Sequence, residues 1–247
     1  MIKRIIFAKN FWKDKTNIMS KNDIQQDKNL EGFESALTKS EQFIEDNQKL
    51  LTYIVLGALV VVSGYLAFHK FYAEPKESEA RSYMFVAEQY FQKDSFNLAL
   101  NGDGNYYGFL DIIDEYGVTK SANLSKYYAG VCYLHLGDYE EAINYLKKFS
   151  SEDIMVSAVA KGAMGDAYSE LGKYKQAISN YESAANQTPN SFTTPLYLNK
   201  AAQLYEEEGE YKKAIELYEI IKKDYAQSQE GRSAEKYIAR AKMQLEK

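Results

Sequence analysis

The octet LGDYEEAI at residues 136–143 returns as LGKYKQAI at 171–178 and again as EGEYKKAI at 208–215. Aligned on Ala142, Ala177 and Ala214, the copies lie 35 and 37 residues apart. Each has a Gly five residues before the alanine (Gly137, Gly172, Gly209) and a Tyr three before it (Tyr139, Tyr174, Tyr211). Each also has a Tyr nine before it: Tyr133, Tyr168 and Tyr205. The middle copy adds Gly165, Tyr181, Ala184 and Pro189. Self-similarity at such a period marks units that bury their apolar faces only by stacking on one another. Small residues such as Gly130 or Gly165, opposite Ala142 or Ala177, let two antiparallel helices approach closely. The tyrosines fill the space between helices and reach a partner at the rim. The recurring Gly ends the first helix of each pair, where a left-handed residue is wanted.

The pattern resembles the tetratricopeptide repeat family, most completely in the third copy. That resemblance implies an all-α fold in which helix pairs stack into an α-solenoid, here with three clear repeats. Upstream, SYMFVAEQYFQKDSFNLAL (82–100) reads as a degenerate first repeat, with Tyr90 and Ala99 at the matching positions. The following NGDGNYYGFLDIIDEYG stretches the next spacing to 43 residues. Asn101, Asp103 and Asn105 alternate as calcium ligands do, but a calcium loop would want Gly at 106 and Glu at 112. Tyr106 and Ile112 stand there, so a helix-breaking turn is expected and no metal. Downstream, SAEKYIARAKMQLE (233–246) places Tyr237, Ile238, Ala241 and Leu245 on one face, which suits a helix capping the stack.

The resemblance also implies a partner-binding groove lined by the first helix of each repeat. Its positions fall on Tyr127, Val131, Leu134 and His135, then on Gly162, Asp166, Ser169 and Glu170, and finally on Asn199, Gln203, Glu206 and Glu207. Some family members clamp a C-terminal carboxylate with Lys and Arg at these places. None of the twelve is Lys or Arg, so a neutral or acidic groove that prefers extended, basic or apolar protein segments is expected. The run Glu206–Glu208 reads as a solvated helix face.

A second feature stands apart from the repeats. LLTYIVLGALVVVSGYLAF (50–68) holds nineteen residues without a charge, and as a helix it spans roughly 28 Å, close to a bilayer's hydrocarbon core. Eleven of the nineteen are Leu, Ile, Val or Phe, which favour insertion by about 3–7 kcal/mol in sum. Tyr53, Tyr65 and Tyr72 lie towards the ends, and Lys49 and Lys70 bracket the segment, where rings with polar tips and snorkelling lysines suit the interface. The expected organisation is a polar, partly basic tail at 1–29, an amphipathic juxtamembrane helix at 30–49 and a transmembrane anchor at 50–72. A linker at 73–79 and a tetratricopeptide-repeat domain at 80–247 complete it. Met19 with SKNDIQQDKN offers an alternative start, which would make residues 1–18 a mis-start.

Composition excludes several functions. Residues 73–247 carry twenty Lys/Arg against twenty-seven Asp/Glu, so nucleic acid is not an expected partner. One Cys and two His leave little for a transition-metal site or a disulfide. No phosphate-binding Gly loop, HExxH or GxSxG occurs, so neither catalysis nor a cofactor is expected. The whole arrangement of tail, one anchor and repeats to the end resembles the YfgM-like family of ancillary SecYEG translocon subunits. That resemblance implies an inner-membrane, single-pass protein with its N-terminus cytoplasmic and its repeats in the periplasm. The implied partners are the Sec translocon, periplasmic chaperones and emerging polypeptide segments. A scaffold of another membrane complex, with its repeats on either side, is the alternative.

Overall fold

The structure is a computed structural model and describes residues 42–246. The tail at 1–29, the alternative start and residues 30–41 of the juxtamembrane helix lie outside the described residues. The chain divides into two compact units, residues 1–67 and 68–247.

In the first unit, helix α1 (Gln48–Phe68) carries the apolar run, and none of its side chains is buried. Tyr53 and Val60 leave 72% and 71% of their surface uncovered. Thr52 donates its hydroxyl to the Gln48 carbonyl at 2.7 Å, which satisfies the group within the helix itself. The helix is long and apolar enough to cross a membrane.

The second unit opens with a π-helical stretch, His69–Ala73, and continues into α2 (Glu74–Gln92). The expected linker at 73–79 is therefore helical throughout. Pro75 comes just after this π-helical stretch in a continuous run of helix; it has no N–H to offer the preceding turn, and a locally widened turn is where a helix accommodates a proline ring. From the first turn of α2 Glu77 reaches the start of α5 (Lys120–Leu136) and accepts from both the Ser121 N–H and its hydroxyl, at 3.1 and 3.0 Å. Burial pushes the Glu77 carboxyl up, but these bonds and one from Arg81 outweigh it and hold the carboxyl below its ordinary value.

Repeats follow as pairs: α5 with α6 (Tyr139–Lys148), α7 (Ile154–Glu170) with α8 (Tyr174–Gln187), and α9 (Thr193–Glu207) with α10 (Tyr211–Asp224). At each internal corner the Gly sits in the left-handed region: Gly137 at φ 83°, Gly172 at 67° and Gly209 at 74°. The next N–H turns back to the carbonyl of the recurring Tyr: Asp138 to Tyr133, Lys173 to Tyr168 and Glu210 to Tyr205, at 2.8–2.9 Å. This closes the helix end with the bond of a Schellman turn. The first repeat makes the same turn without glycine, since Ser95 N–H bonds the Tyr90 carbonyl at 2.9 Å around Asp94 at φ 55°. Asp tolerates that region better than most residues. Ala99, Ala142, Ala177 and Ala214, the four aligned alanines, are each fully buried.

The first repeat departs in its second half. Instead of one helix it has α3 (Phe96–Asn101) and α4 (Phe109–Glu115), separated by the glycine-rich turn. Asp103 closes that turn: one carboxylate oxygen accepts the N–H groups of Asn105 and Tyr106, and the other accepts the Tyr90 hydroxyl at 2.8 Å. A side chain on Gly102 or Gly108 would collide with neighbouring backbone, so the chain can fold back only with glycine at both places. The detour places Phe109 and Ile112, both fully buried, in a core with Ala80, Ala87 and Cys132. At the far end α11 (Gln229–Leu245) caps the stack through Ala234, Ile238 and Ala241, while Leu245 stays exposed.

Close approach of the paired helices works somewhat differently from the sequence expectation. A Cβ on Gly130 would strike the Leu146 side chain and the Ala142 carbonyl, and one on Gly165 would strike the Tyr181 ring. The glycines thus make room for the residue four after each aligned alanine. Among the first helices, α5 packs on α7, α7 on α9 and α9 on α11. By contrast α6, α8 and α10 touch only the first helices beside them. The first helices therefore form a continuous inner row.

Candidate functional site

Two pockets open along the inner row. One, of about 320 Å³, is lined by Leu134 and Tyr139 of the second repeat, Asp166, Ser169, Glu170 and Tyr181 of the third, and Lys200 of the fourth. The other, of about 680 Å³, is lined by Gln203, Glu206, Glu207 and Tyr211 of the fourth repeat and by Tyr237, Arg240 and Gln244 of the cap.

Both pockets contain the same construction. Asp166 accepts the Tyr181 hydroxyl and the Lys200 ammonium on one oxygen, each at 2.6 Å. Glu206 accepts the Tyr218 hydroxyl at 2.7 Å and, from Arg240, the Nη2–H at 2.7 Å and the Nε–H at 3.0 Å. In each case the cation lies 34 residues after the carboxylate, on the next helix of the row. In each case it also lies over a tyrosine ring: Lys200 over Tyr181 at 5.6 Å and Arg240 over Tyr237 at 5.1 Å. Burial pushes the Tyr181 phenol well above its ordinary value, and the Asp166 charge adds to it. Tyr218 is raised first by burial and then by its bond to Glu206. The Glu206 partner raises Arg240 in turn. A carboxylate that satisfies a buried phenol and a cation at once locks adjacent repeats in register.

The structure brings together some of the groove residues expected from the sequence and disperses others. Leu134, Asp166, Ser169 and Glu170 share the smaller pocket, and Gln203, Glu206 and Glu207 share the larger. Tyr127 and Val131 lie half-buried beside Leu134 against Leu146, Ala160 and Ala163, a purely apolar stretch of the row. His135 instead stacks on Phe96 of the first repeat, with 4.2 Å between ring centres and the rings nearly parallel. Gly162 is buried under the Tyr197 ring, where a Cβ would clash. Asn199 is half-buried, its Oδ1 has no hydrogen-bond partner among the described residues, and it lines neither pocket. Glu206 is not a solvated carboxylate, for its side chain is only 11% exposed.

The cations of the face were invisible at the aligned groove positions, because Lys200 lies three residues before Gln203 and Arg240 belongs to the cap. Both are engaged by internal carboxylates, which leaves neither free to clamp a partner's terminal carboxylate. The detectable signal was the tyrosine four residues after the aligned alanine, Tyr181 and Tyr218, replaced by Leu146 in the second repeat. A buried phenol requires an acceptor nearby, and that requirement points to Asp166 and Glu206.

Two family models, each described as tetratricopeptide repeat, match residues 156–219 and 125–153. The chain carries tetratricopeptide repeats. Among solved structures, the nearly identical TPR-like repeats of a Podosopora anserina protein described as a putative kinesin light chain are similar, with a TM-score of 0.53 and 17% identity. That match covers 68% of this chain and 88% of the other. A singly substituted form of the same repeats gives 0.52 at 17% identity, over 68% and 87%. MamA gives 0.49 at 23% identity, over 68% of this chain and 92% of that one. No curated protein matches the chain. The tetratricopeptide repeat is a protein-interaction module, and the matched residues hold much of the inner row.

Proposed function

We propose that this protein is a non-enzymatic, membrane-anchored interaction module whose repeats hold protein segments at the outer face of the inner membrane. In this reading it is an ancillary component of the Sec translocon or of the periplasmic chaperone network. The observation that carries the membrane reading is α1: nine of its ten Leu, Ile and Val side chains, all but Leu51, are more than half uncovered. In water, each such side chain would forgo about 1.5–3 kcal/mol of burial, whereas lipid supplies an apolar surrounding for all of them. The chain leaves α1 and enters α2 after five residues, His69–Ala73, so the repeats work beside the membrane that holds the anchor. The order of anchor then repeats, together with the resemblance to YfgM-like subunits, favours a site where secreted chains emerge.

The test begins with topology. Cys132, fully buried, is replaced by Ala, and a single cysteine is introduced by Lys223→Cys on the exposed side of α10. A membrane-impermeant thiol reagent should label it in intact spheroplasts, and gentle solubilisation of the full-length chain should then co-purify translocon or periplasmic chaperone subunits. Labelling only after lysis would overturn the periplasmic placement. Recovery without any such subunit would overturn the translocon role.

A further inference from the structure

We infer that the inner row docks an extended segment bearing two cationic side chains three residues apart, one for each pocket. This rests on the interaction-module reading and names the chemistry of its partner. Each pocket holds two carboxylates and one cation: Asp166 and Glu170 with Lys200, and Glu206 and Glu207 with Arg240. In each, the cation is spent on the inner carboxylate, Asp166 or Glu206. Among the described residues Glu170 and Glu207 have no Lys or Arg partner. Glu170 keeps only a long contact, 3.5 Å, with the Tyr139 hydroxyl. Both outer carboxylates are exposed and share their pocket with a tyrosine, Tyr139 or Tyr211, over which no cation lies among the described residues.

The protein shows elsewhere what such a pair of groups accepts. Carboxylate, tyrosine ring and cation meet three times within the stack: Asp166, Tyr181 and Lys200; Glu206, Tyr237 and Arg240; Glu210, Tyr205 and Lys213. Glu170 with Tyr139, and Glu207 with Tyr211, present the first two members to the pockets. A partner's Lys or Arg supplies the third, gaining a charge pair and a ring face together. The smaller pocket adds an apolar wall in Leu134, against which the stem of a long cationic side chain packs.

The spacing follows from the repeat. Glu170 and Glu207 occupy the same place in successive repeats, 37 residues apart, on the neighbouring helices α7 and α9. Packed helices lie about 8–10 Å apart. A polyproline-type segment turns once in three residues at about 3.1 Å each, so residues i and i+3 share a face about 9 Å apart. Adjacent cations cannot serve both pockets, and acidic segments are repelled by the net negative charge of each.

Fluorescence anisotropy of the full-length chain in a non-ionic detergent tests this with three labelled peptides at low salt. PPKPPKPP carries the spaced pair, PPKKPPPP the same charge in adjacent positions, and PPEPPEPP the opposite charge. The spaced pair should bind tightest and the acidic peptide not at all. Glu170→Gln and Glu207→Gln should each weaken it about threefold and together about tenfold, as expected for two separate exposed pairs. Helical content and melting temperature should stay unchanged. Equal binding of the spaced and adjacent peptides, no binding by any, or indifference to both Gln substitutions would each overturn the inference. The interaction-module reading would stand in those cases if the full-length chain still co-purified a protein partner.

Discussion

Val131 and Leu146 in the second repeat hold the same places as Asp166 and Tyr181 in the third, yet the two pairs do opposite things. Leu146 is buried with Ala160 and Ala163 and asks nothing of its surroundings but shape. Tyr181 brings a hydroxyl into a comparable position, which requires Asp166, whose charge in turn engages Lys200 one repeat further on. In the fourth repeat Tyr218 repeats the theme, but its acceptor has moved one helical turn, from the place of Gln203 to Glu206. A glycine opposite, Gly130 or Gly165, makes room for either Leu or Tyr. The backbone of the stack is therefore indifferent to the choice. What the choice sets is the chemistry of the inner row, apolar at the second repeat and ion-paired from the third onward.

Four experiments break or sharpen that contrast. Leu146→Ala should cost most, about 2–5 kcal/mol in urea unfolding, because a fully packed Leu leaves a cavity that Gly130 cannot fill. Tyr218→Phe keeps the ring but strands Glu206 without one donor; a loss of about 1.5–3 kcal/mol is expected, as for hydrogen bonds to charged groups. Exchanging the two solutions is more discriminating. Leu146→Tyr alone should lose about 1–3 kcal/mol, since no acceptor faces the new phenol. Adding Val131→Asp should return about 1 kcal/mol of it by restoring the pair found in the third repeat. If the double substitution is no more stable than the two losses added together, the repeats are not interchangeable and the comparison fails.

The smallest effect is confined to alkaline solution. Tyr181 and Tyr218 are raised above the ordinary phenol value by burial and by their acceptors, and Tyr205 is pushed up to about 12, first by burial and then by Glu182. A phenol raised in the folded state contributes its full stability below the unfolded value, near 10. That contribution is lost as pH rises through the folded value. Tyrosinate absorbance should therefore still be rising above pH 10 as these phenols ionise, together with the loss of helical dichroism. A single transition at 10 with the helices intact would show that these phenols are not held as described.

The long apolar helix, the repeat stack, its four aligned alanines and its three left-handed glycines were legible because each depends on local chemistry. A charge-free run of nineteen residues, a small side chain at a helix crossing and a glycine at a corner announce themselves by residue type and period. The degenerate first repeat was visible through Tyr90 and Ala99, but not its turn, for Asp94 takes the glycine's conformation without its signature. The division of its second half into α3 and α4 was equally hidden, since Phe109 and Ile112 reach the core only after the Asp103 turn has folded the chain back. Groove positions carried over by alignment reached both pockets but misplaced His135, which faces Phe96, and Gly162, which lies beneath Tyr197.

The sequence by itself determined that helix pairs would stack and that one helix would be long and apolar enough to cross a membrane, because burial and helix geometry act on neighbouring residues. Only the tertiary structure decided which charges on the inner row are already satisfied. Lys200 meets Asp166, and Arg240 meets Glu206, across a gap of 34 residues that no local pattern spans. Two charged groups find one another when packing brings their helices side by side, and that same packing leaves Glu170 and Glu207 to face the solvent.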